Sequence, residues 1–218
     1  MVSSLSLDPS YAALTPRLQQ AATQLGLALT DDQITQLLYY LQQLLFWNKA
    51  YNLTAIKDRE TALVKHIIDS LAIVPHLPAG SLLDIGTGAG LPSVIVAICQ
   101  PARSVTALDS NSKKIRFIKQ VISELGLKNV NPVASRIEEH EGQYNIVTSR
   151  AFASLVDFVE LGTPKLADNG EFWAMKGVEP TDEMAQLSSD WQINSVRLNV
   201  PILAEARHLI QLTRKLVP

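Results

Sequence analysis

A single cysteine, Cys99, stands in this chain of 218 residues. Disulfides need pairs, so a disulfide framework is excluded and a reducing compartment is expected. No apolar run approaches the roughly 20 residues of a membrane span. The N-terminus has no basic segment leading into an apolar core, so no secretory leader is expected. An excess of positive charge is missing too: 19 Lys and Arg face 21 Asp and Glu, a net charge of −2. Nucleic-acid-binding domains are often strongly basic, so any such partner must be met by a local cluster such as Lys113, Lys114, Arg116 and Lys119. Internal repeats and low-complexity segments are absent. What is present is a hydrophobic fraction of 47% with 18% charged residues, the composition of a globular chain with a proper core.

One stretch organises the rest: Leu82-Leu83-Asp84-Ile85-Gly86-Thr87-Gly88-Ala89-Gly90-Leu91-Pro92. An apolar run enters an acid, turns through three alternating glycines and leaves through a proline. This reads as a buried strand, a tight turn and a helix start with Pro92 at its first position. Free N–H groups at the helix N-terminus are expected to face whatever sits over the turn. A dinucleotide fingerprint, G-x-G-x-x-G, requires a third glycine for close helix–strand packing. Here Leu91 occupies that slot. A second acid, Asp109, ends the next apolar run about 20 residues on, where a ribose-binding carboxylate is expected. The pairing resembles the S-adenosylmethionine site of Rossmann-like methyltransferases. A glycine-rich turn without a ligand is the alternative.

Before this motif the sequence is helical. Residues 1 to 14 are polar and mixed, with partial disorder expected. A helix starts at Thr15-Pro16 and stops at Gly26. Thr30 and Gln33 form a capping box ahead of an apolar stripe from Ile34 to Leu45. In the segment from Phe46 to Thr54, aromatic, amide and cationic groups suit nucleobase stacking. The competing reading has Trp47 and Tyr51 closing the helices over the core while Asn52 makes a turn. A further helix is expected from about Arg59 to Val74, capped by Asp58, with His66 and Asp69 side by side. No third ligand stands at metal spacing there, so no metal site is assigned. After the motif come a buried helix (Val94–Cys99), a strand (Ser104–Asp109) and a helix (Lys113–Leu125). Strands follow at Val130–Ala134 and Tyr144–Thr148, then a helix over Leu155–Leu166 interrupted at Pro164. A fifth strand (Glu171–Met175) and a short helix (Glu183–Leu187) precede a final pair, Val196–Val200 and His208–Leu212. The alternation predicts an α/β fold: a mostly parallel, doubly wound sheet with an antiparallel final strand pair and N-terminal helices. Residues 1–78 form the helical region and residues 79–218 the Rossmann-like domain.

In such a sheet the ligand sits beyond the strand ends at the topological switch point. That gathers Gly86–Leu91, Asp109–Asn111, Ser135–Glu138 and Ser149-Arg150-Ala151-Phe152-Ala153. The last segment lacks the Asn/Asp-Pro-Pro-aromatic turn of amine-directed nucleic-acid methyltransferases. Cys99 lies in an apolar helix, away from the place of a thiolate nucleophile. An acceptor with its own lone pair, such as guanine N7, remains. Direct in-line transfer to it needs alignment rather than a general base. Arg150 suits a carboxylate or phosphate better than N7 itself, or else an ordinary strand-end salt bridge.

Taken together, Trp47-Asn48-Lys49-Ala50-Tyr51-Asn52-Leu53-Thr54, His66-Ile67-Ile68-Asp69-Ser70, the glycine motif, Ser149–Ala153, Lys176-Gly177 and Arg207-His208 resemble the RsmG (GidB) family of bacterial 16S rRNA guanine-N7 methyltransferases. The resemblance runs from about residue 25 onward; the segment before residue 20 is longer than the family leads one to expect. It implies a class I methyltransferase using S-adenosyl-L-methionine on guanosine 527 of 16S rRNA. Cofactor contacts are implied at Gly86, Leu91, Ile137, Glu138 and Arg150, with Asp109 on the ribose and Ser110 and Asn111 beside it. Arg150 is the candidate catalytic residue. Asn52, Lys176, Arg207 and His208 are candidates for the substrate side. The implied partner is 16S rRNA or a precursor of the small ribosomal subunit, met by a monomeric, cytoplasmic enzyme with no membrane. A methyltransferase for another RNA site or a small molecule, and a non-catalytic nucleotide-binding regulatory domain, are the alternatives.

Overall fold

Residues 5–150, 152 and 154–215 are described by the computed structural model; Ala151 and Ala153 of the motif after the fourth strand lie outside the described residues, as do residues 1–4. Helices α1 (Pro9–Ala12), α2 (Thr15–Gln24) and α3 (Asp31–Tyr51) open the chain. The capping box is reciprocal: Gln33 N–H donates to Thr30 Oγ1 at 3.2 Å, and Thr30 N–H donates to Gln33 Oε1 at 2.9 Å. Order also reaches further upstream than expected. Asp8 caps α1, Leu14 is buried, and Leu5, Leu7 and Tyr11 pack on the core. These apolar side chains, spread among polar ones, hold residues 5–14 down.

Helix α3 runs past Leu45 to Tyr51 because Trp47 and Tyr51 stack on each other and Trp47 tilts against Phe117 of the core. Asn52 then ends it in the left-handed region, at φ 51°. The aromatics therefore close the helices over the core, as the second of the two readings had it. The expected helix after Asp58 is divided: α4 (Arg59–Ala62), a π-helical turn (Leu63–Ile68) and α5 (Asp69–Leu71).

The sheet then forms from β1 (Leu82–Ile85), β2 (Val105–Asp109), β3 (Val130–Ala134), β4 (Tyr144–Arg150), β5 (Leu166–Lys176), β6 (Trp191–Leu198) and β7 (Arg207–Arg214). Between them lie α6 (Ser93–Cys99), α7 (Ser112–Leu125), α8 (Leu155–Gly162) and α9 (Thr181–Ala185). Strand order is β3-β2-β1-β4-β5-β7-β6, with β1 to β5 parallel and β7 antiparallel to both neighbours. This is the expected doubly wound sheet with an antiparallel closing pair. Strand β5 starts earlier than expected, at Leu166, because Pro164 ends the preceding turn and the pairing with β4 shifts between Tyr144 and Ile146.

β1 and β2 are buried throughout, which is why both read as unbroken apolar runs. Alternate side chains feed two cores. Leu82, Val105 and Ile146 join the core beneath α3, α6 and α7, whereas Leu83, Leu108 and Val147 join the one beneath α8. The N-terminal helices share the first core and touch the glycine turn itself: buried Tyr40 donates to Ala89 O at 2.7 Å.

Candidate active site

The order reverses between β1 and β4, and the turn after β1 opens at that switch point. Gly86 and Gly88 lie at φ 67° and 62°, and a Cβ built on either meets no atom of the described residues within 4 Å. Gly90 differs. Its Cβ would lie 2.6 Å from Val94 Cγ2 and 3.3 Å from Ile118 Cγ1, so this glycine lets α6 and α7 approach. Pro92 stands just before α6 rather than at its first position.

Asp84 fastens the turn from beneath. Its Oδ2 accepts from Thr87 Oγ1 at 2.5 Å and from Ser93 N–H at 3.2 Å. Burial pushes its carboxyl up to about 6 against the pull of these hydrogen bonds, and Oδ1 has no partner among the described residues. Asp109 fastens the turn from above: Oδ2 accepts from Gly88 N–H at 2.9 Å and Oδ1 from Asn111 N–H at 2.8 Å. The expected row of free N–H groups is therefore thinned, leaving those of Gly86 and Ala89 without a hydrogen-bond acceptor among the described residues. Thr87, Gly90 and Leu91 donate to main-chain carbonyls, and Gly88 and Ser93 to the two acids. A turn with five of its amides engaged has fewer left for a pyrophosphate. It suits a ligand without one.

Two cavities meet at Gly86. The first, about 370 Å³, brings Gly86, Asp109, Ser110, Ile137 and Glu138 together with Lys114, Ser135 and Phe152. The second, about 250 Å³, brings Gly86, Leu91 and Arg150 together with Thr54, His66 and Lys114. Asn111 lies beside the first and caps α7, accepting from Lys113 N–H at 3.0 Å. Asp109 is buried in the wall of the first cavity. Gly86 and Gly88 leave unfilled space where the two join.

Arg150, 21% exposed, closes the second cavity. One guanidinium nitrogen donates to Lys65 O at 3.1 Å and lies 3.6 Å from Asp69 Oδ2; the other lies 3.5 Å from His66 Nδ1. A guanidinium only donates, so Nδ1 is the acceptor and Nε2 carries the ring proton. Nε2 then donates to Thr54 Oγ1 at 2.8 Å, which also accepts from Ile56 N–H at 3.1 Å. The Thr54 hydroxyl keeps its own proton for an acceptor in the cavity. Burial, aided by Arg150, lowers His66 to about 4, so it is neutral at pH 7. Asp69 faces Arg207 rather than His66: Arg207 Nε donates to Asp69 Oδ1 at 3.0 Å. Burial pushes the Asp69 carboxyl up, and the two guanidiniums, Arg150 and Arg207, pull against it.

The other candidates lie elsewhere. Arg207 is 18% exposed and also pairs with Glu205 at 3.0 Å. Lys176 pairs with Glu183 at 2.9 Å. His208 Nδ1 lies 3.1 Å from Gly177 O. Asn52 lines a separate cavity formed with α1 and α3. None of these four lines either of the two cavities at Gly86. Thr54, His66 and Lys114 were not among the sequence candidates for this site. Lys114 alone left a signal, one turn into the helix after Asp109, where it lies 3.7 Å from that carboxylate. Cys99 is remote, and burial pushes its thiol up to about 12.

Known proteins resemble this chain along most of its length. The family model described as rRNA small subunit methyltransferase G matches residues 33–210. A protein of that name from Psychrobacter cryohalolentis is 65% identical over 212 residues, covering 97% of this chain and 89% of the relative. One from Acinetobacter baumannii is 52% identical over 202 residues, covering 90% and 96%. Among solved structures, a ribosomal protein L11 methylase from Lactobacillus delbrueckii subsp. bulgaricus superimposes with a TM-score of 0.54 at 17% identity, over 74% of this chain and 81% of that one. A SAM-dependent O-methyltransferase from Thermotoga maritima gives 0.54 at 15% identity, over 69% and 66%. These two likenesses concern the fold alone.

Proposed function

The chain belongs to the rRNA small subunit methyltransferase G family, and from that membership we propose that it transfers a methyl group from S-adenosylmethionine to N7 of a guanine in 16S rRNA, at guanosine 527. When bound, S-adenosylmethionine supplies a methyl group made electrophilic by its sulfonium. The observation that carries the reading is the pair of cavities joined at Gly86, with no carboxylate or thiol among the described residues that line the second, on the acceptor side.

That lining favours an acceptor with a free lone pair. An amine, hydroxyl or carbon acceptor needs a group to take its proton or a thiolate to activate it. His66 is a poor base here, since burial and Arg150 both oppose its protonation. A ring nitrogen with a free lone pair needs neither. The protein's contribution is alignment, which supplies several kcal/mol. Arg150 is placed for a carboxylate or phosphate, and the free Thr54 proton for a carbonyl oxygen beside the reacting nitrogen, as guanine O6 is. Residues 79–218 form the catalytic unit in this reading, and the helical region, residues 1–78, supports the turn through Tyr40. The enzyme works in the cytoplasm on small-subunit particles or their precursors.

The test is transfer of labelled methyl groups by the purified chain to 16S rRNA and small subunits, with 23S rRNA and transfer RNA alongside. Label in 16S rRNA is expected. Label in another RNA, or in none of them, would remove the reading.

A further inference from the structure

A third cavity, larger than either of those at Gly86 at about 700 Å³, lies between α1, α3 and the loop that leads into α4. Tyr11, Phe46, Lys49, Asn52, Lys57 and Arg59 line it. Lys49, Lys57 and Arg59 bring three positive charges, and no ion pair within 4 Å holds any of them among the described residues. The carboxylate in the lining, Asp8, is occupied by capping Ser10 N–H at 2.8 Å. Arg59 Nε is buried without a hydrogen-bond partner among the described residues, a donor in want of an acceptor. Its guanidinium lies 5.4 Å from the centre of the Tyr11 ring. Phe46 is 64% exposed at the cavity, although helix positions on either side of it are packed.

Cations without a close ion pair, beside an exposed aromatic ring, are the two elements of a single-stranded nucleic-acid site: charge for the phosphate and a platform for the base. The loop that walls this cavity also walls the acceptor cavity. Asn48, buried at the end of α3, accepts from Thr54 N–H at 2.8 Å, and Thr54 lines the second cavity at Gly86. We infer that the cavity of Tyr11, Phe46 and Arg59 is a second RNA subsite, which holds an unpaired nucleotide near the methylated base by stacking on Phe46 and by phosphate contacts to Lys49, Lys57 and Arg59. The inference rests on the rRNA reading above. It also gives the segment before residue 20 a task, since Asp8 and Tyr11 build one wall.

The full-length chain is titrated with fluorescein-labelled 16S rRNA transcript and with small subunits that lack the modification, at several salt concentrations. Phe46→Ala should weaken binding of both about fivefold or more. Lys49→Ala/Lys57→Ala should weaken it and lower the salt slope by about 1 to 2. Affinity for S-adenosylmethionine should stay unchanged in both variants, which shows that they fold. Wild-type affinity and slope in both variants, with methyl transfer by the wild type intact, would overturn the subsite and leave the enzymatic reading standing. Loss of subunit binding with transcript binding intact would mean that the cavity takes a ribosomal protein, and the RNA subsite falls. A wild type that methylates neither substrate removes both proposals.

Discussion

Adding one methyl group to Gly86 or to Gly90 separates binding from folding. At Gly86 the added carbon meets no atom of the described residues within 4 Å, so the folding penalty expected is that of a side chain at φ 67°. That costs about 1 to 2 kcal/mol, or a fall of about 2–8 °C in Tm for a chain of this length. The same carbon projects into space shared by the two cavities at the turn. S-adenosylmethionine affinity should therefore fall at least about tenfold in Gly86→Ala and vanish in Gly86→Val. Gly90→Ala reverses the balance. Its carbon lies 2.6 Å from Val94 Cγ2 and 3.3 Å from Ile118 Cγ1, at φ 94°. Val94 is β-branched and cannot swing aside, so overpacking of about 1–3 kcal/mol adds to the backbone strain. Calorimetric titration and thermal melting of the two variants test this directly. A Gly86→Ala protein with wild-type cofactor affinity would refute the placement of the ligand. So would a Gly90→Ala protein that melts like wild type but no longer binds.

Asp69→Ala leaves two arginines, 21% and 18% exposed, without their shared carboxylate; stability should fall by about 2–4 kcal/mol in urea denaturation, with methyl transfer reduced as Arg150 loses its anchor. A change below about 1 kcal/mol would show that the bridge is not structural. In the pH dependence of stability two groups oppose one another. His66, lowered from 6.5 to about 4, costs stability as pH falls from 6.5 towards 4, because the unfolded chain takes up the proton first. Asp84, raised from 3.8 to about 6, returns stability over the same interval, because there the folded chain binds the proton more tightly. His66→Gln removes the first contribution, so relative to wild type it should gain about 2–3 kcal/mol between pH 7 and about pH 4.5. Parallel unfolding midpoints for the two proteins across that interval would contradict the assignment. The single-turnover rate of methyl transfer should be nearly flat from about pH 6.5 to pH 9; a steep rise tracking one ionisation would indicate a general base and a different acceptor.

The central motif was legible because its physics is local. A strand buried on both faces is an apolar run, a tight turn needs glycine, and the acid after β2 sits at a fixed place relative to the turn. Leu91 in the third slot was enough to turn the reading away from a dinucleotide. The bridging of Arg150 and Arg207 by Asp69 was not legible, because the pairs span 81 and 138 residues and depend on how β4, β7 and α5 converge. His66 was misjudged for a local reason. The i, i+3 rule assumes an α-helix, whereas residues 63–68 form a π turn, and His66 lies between Thr54 and Arg150. No residue in Leu63–Ile68 announces that turn. The free N–H groups are fewer than expected for a different reason: Asp109 accepts from Gly88 and Asp84 from Ser93, which the spacing of the motif does not announce. Helix α3 outran its stripe because Trp47 and Tyr51 pack by stacking, which an aliphatic periodicity does not capture.

The most direct test of the acceptor chemistry uses 16S rRNA from small subunits incubated with this protein and S-adenosylmethionine. Borohydride reduction followed by aniline cleaves the chain only where a guanine carries a methyl group on N7. One new cleavage is expected, at a single guanosine, absent without the protein and absent with Gly86→Val. Methyl incorporation with no cleavage at any guanosine would place the methyl group on another atom and contradict transfer to N7.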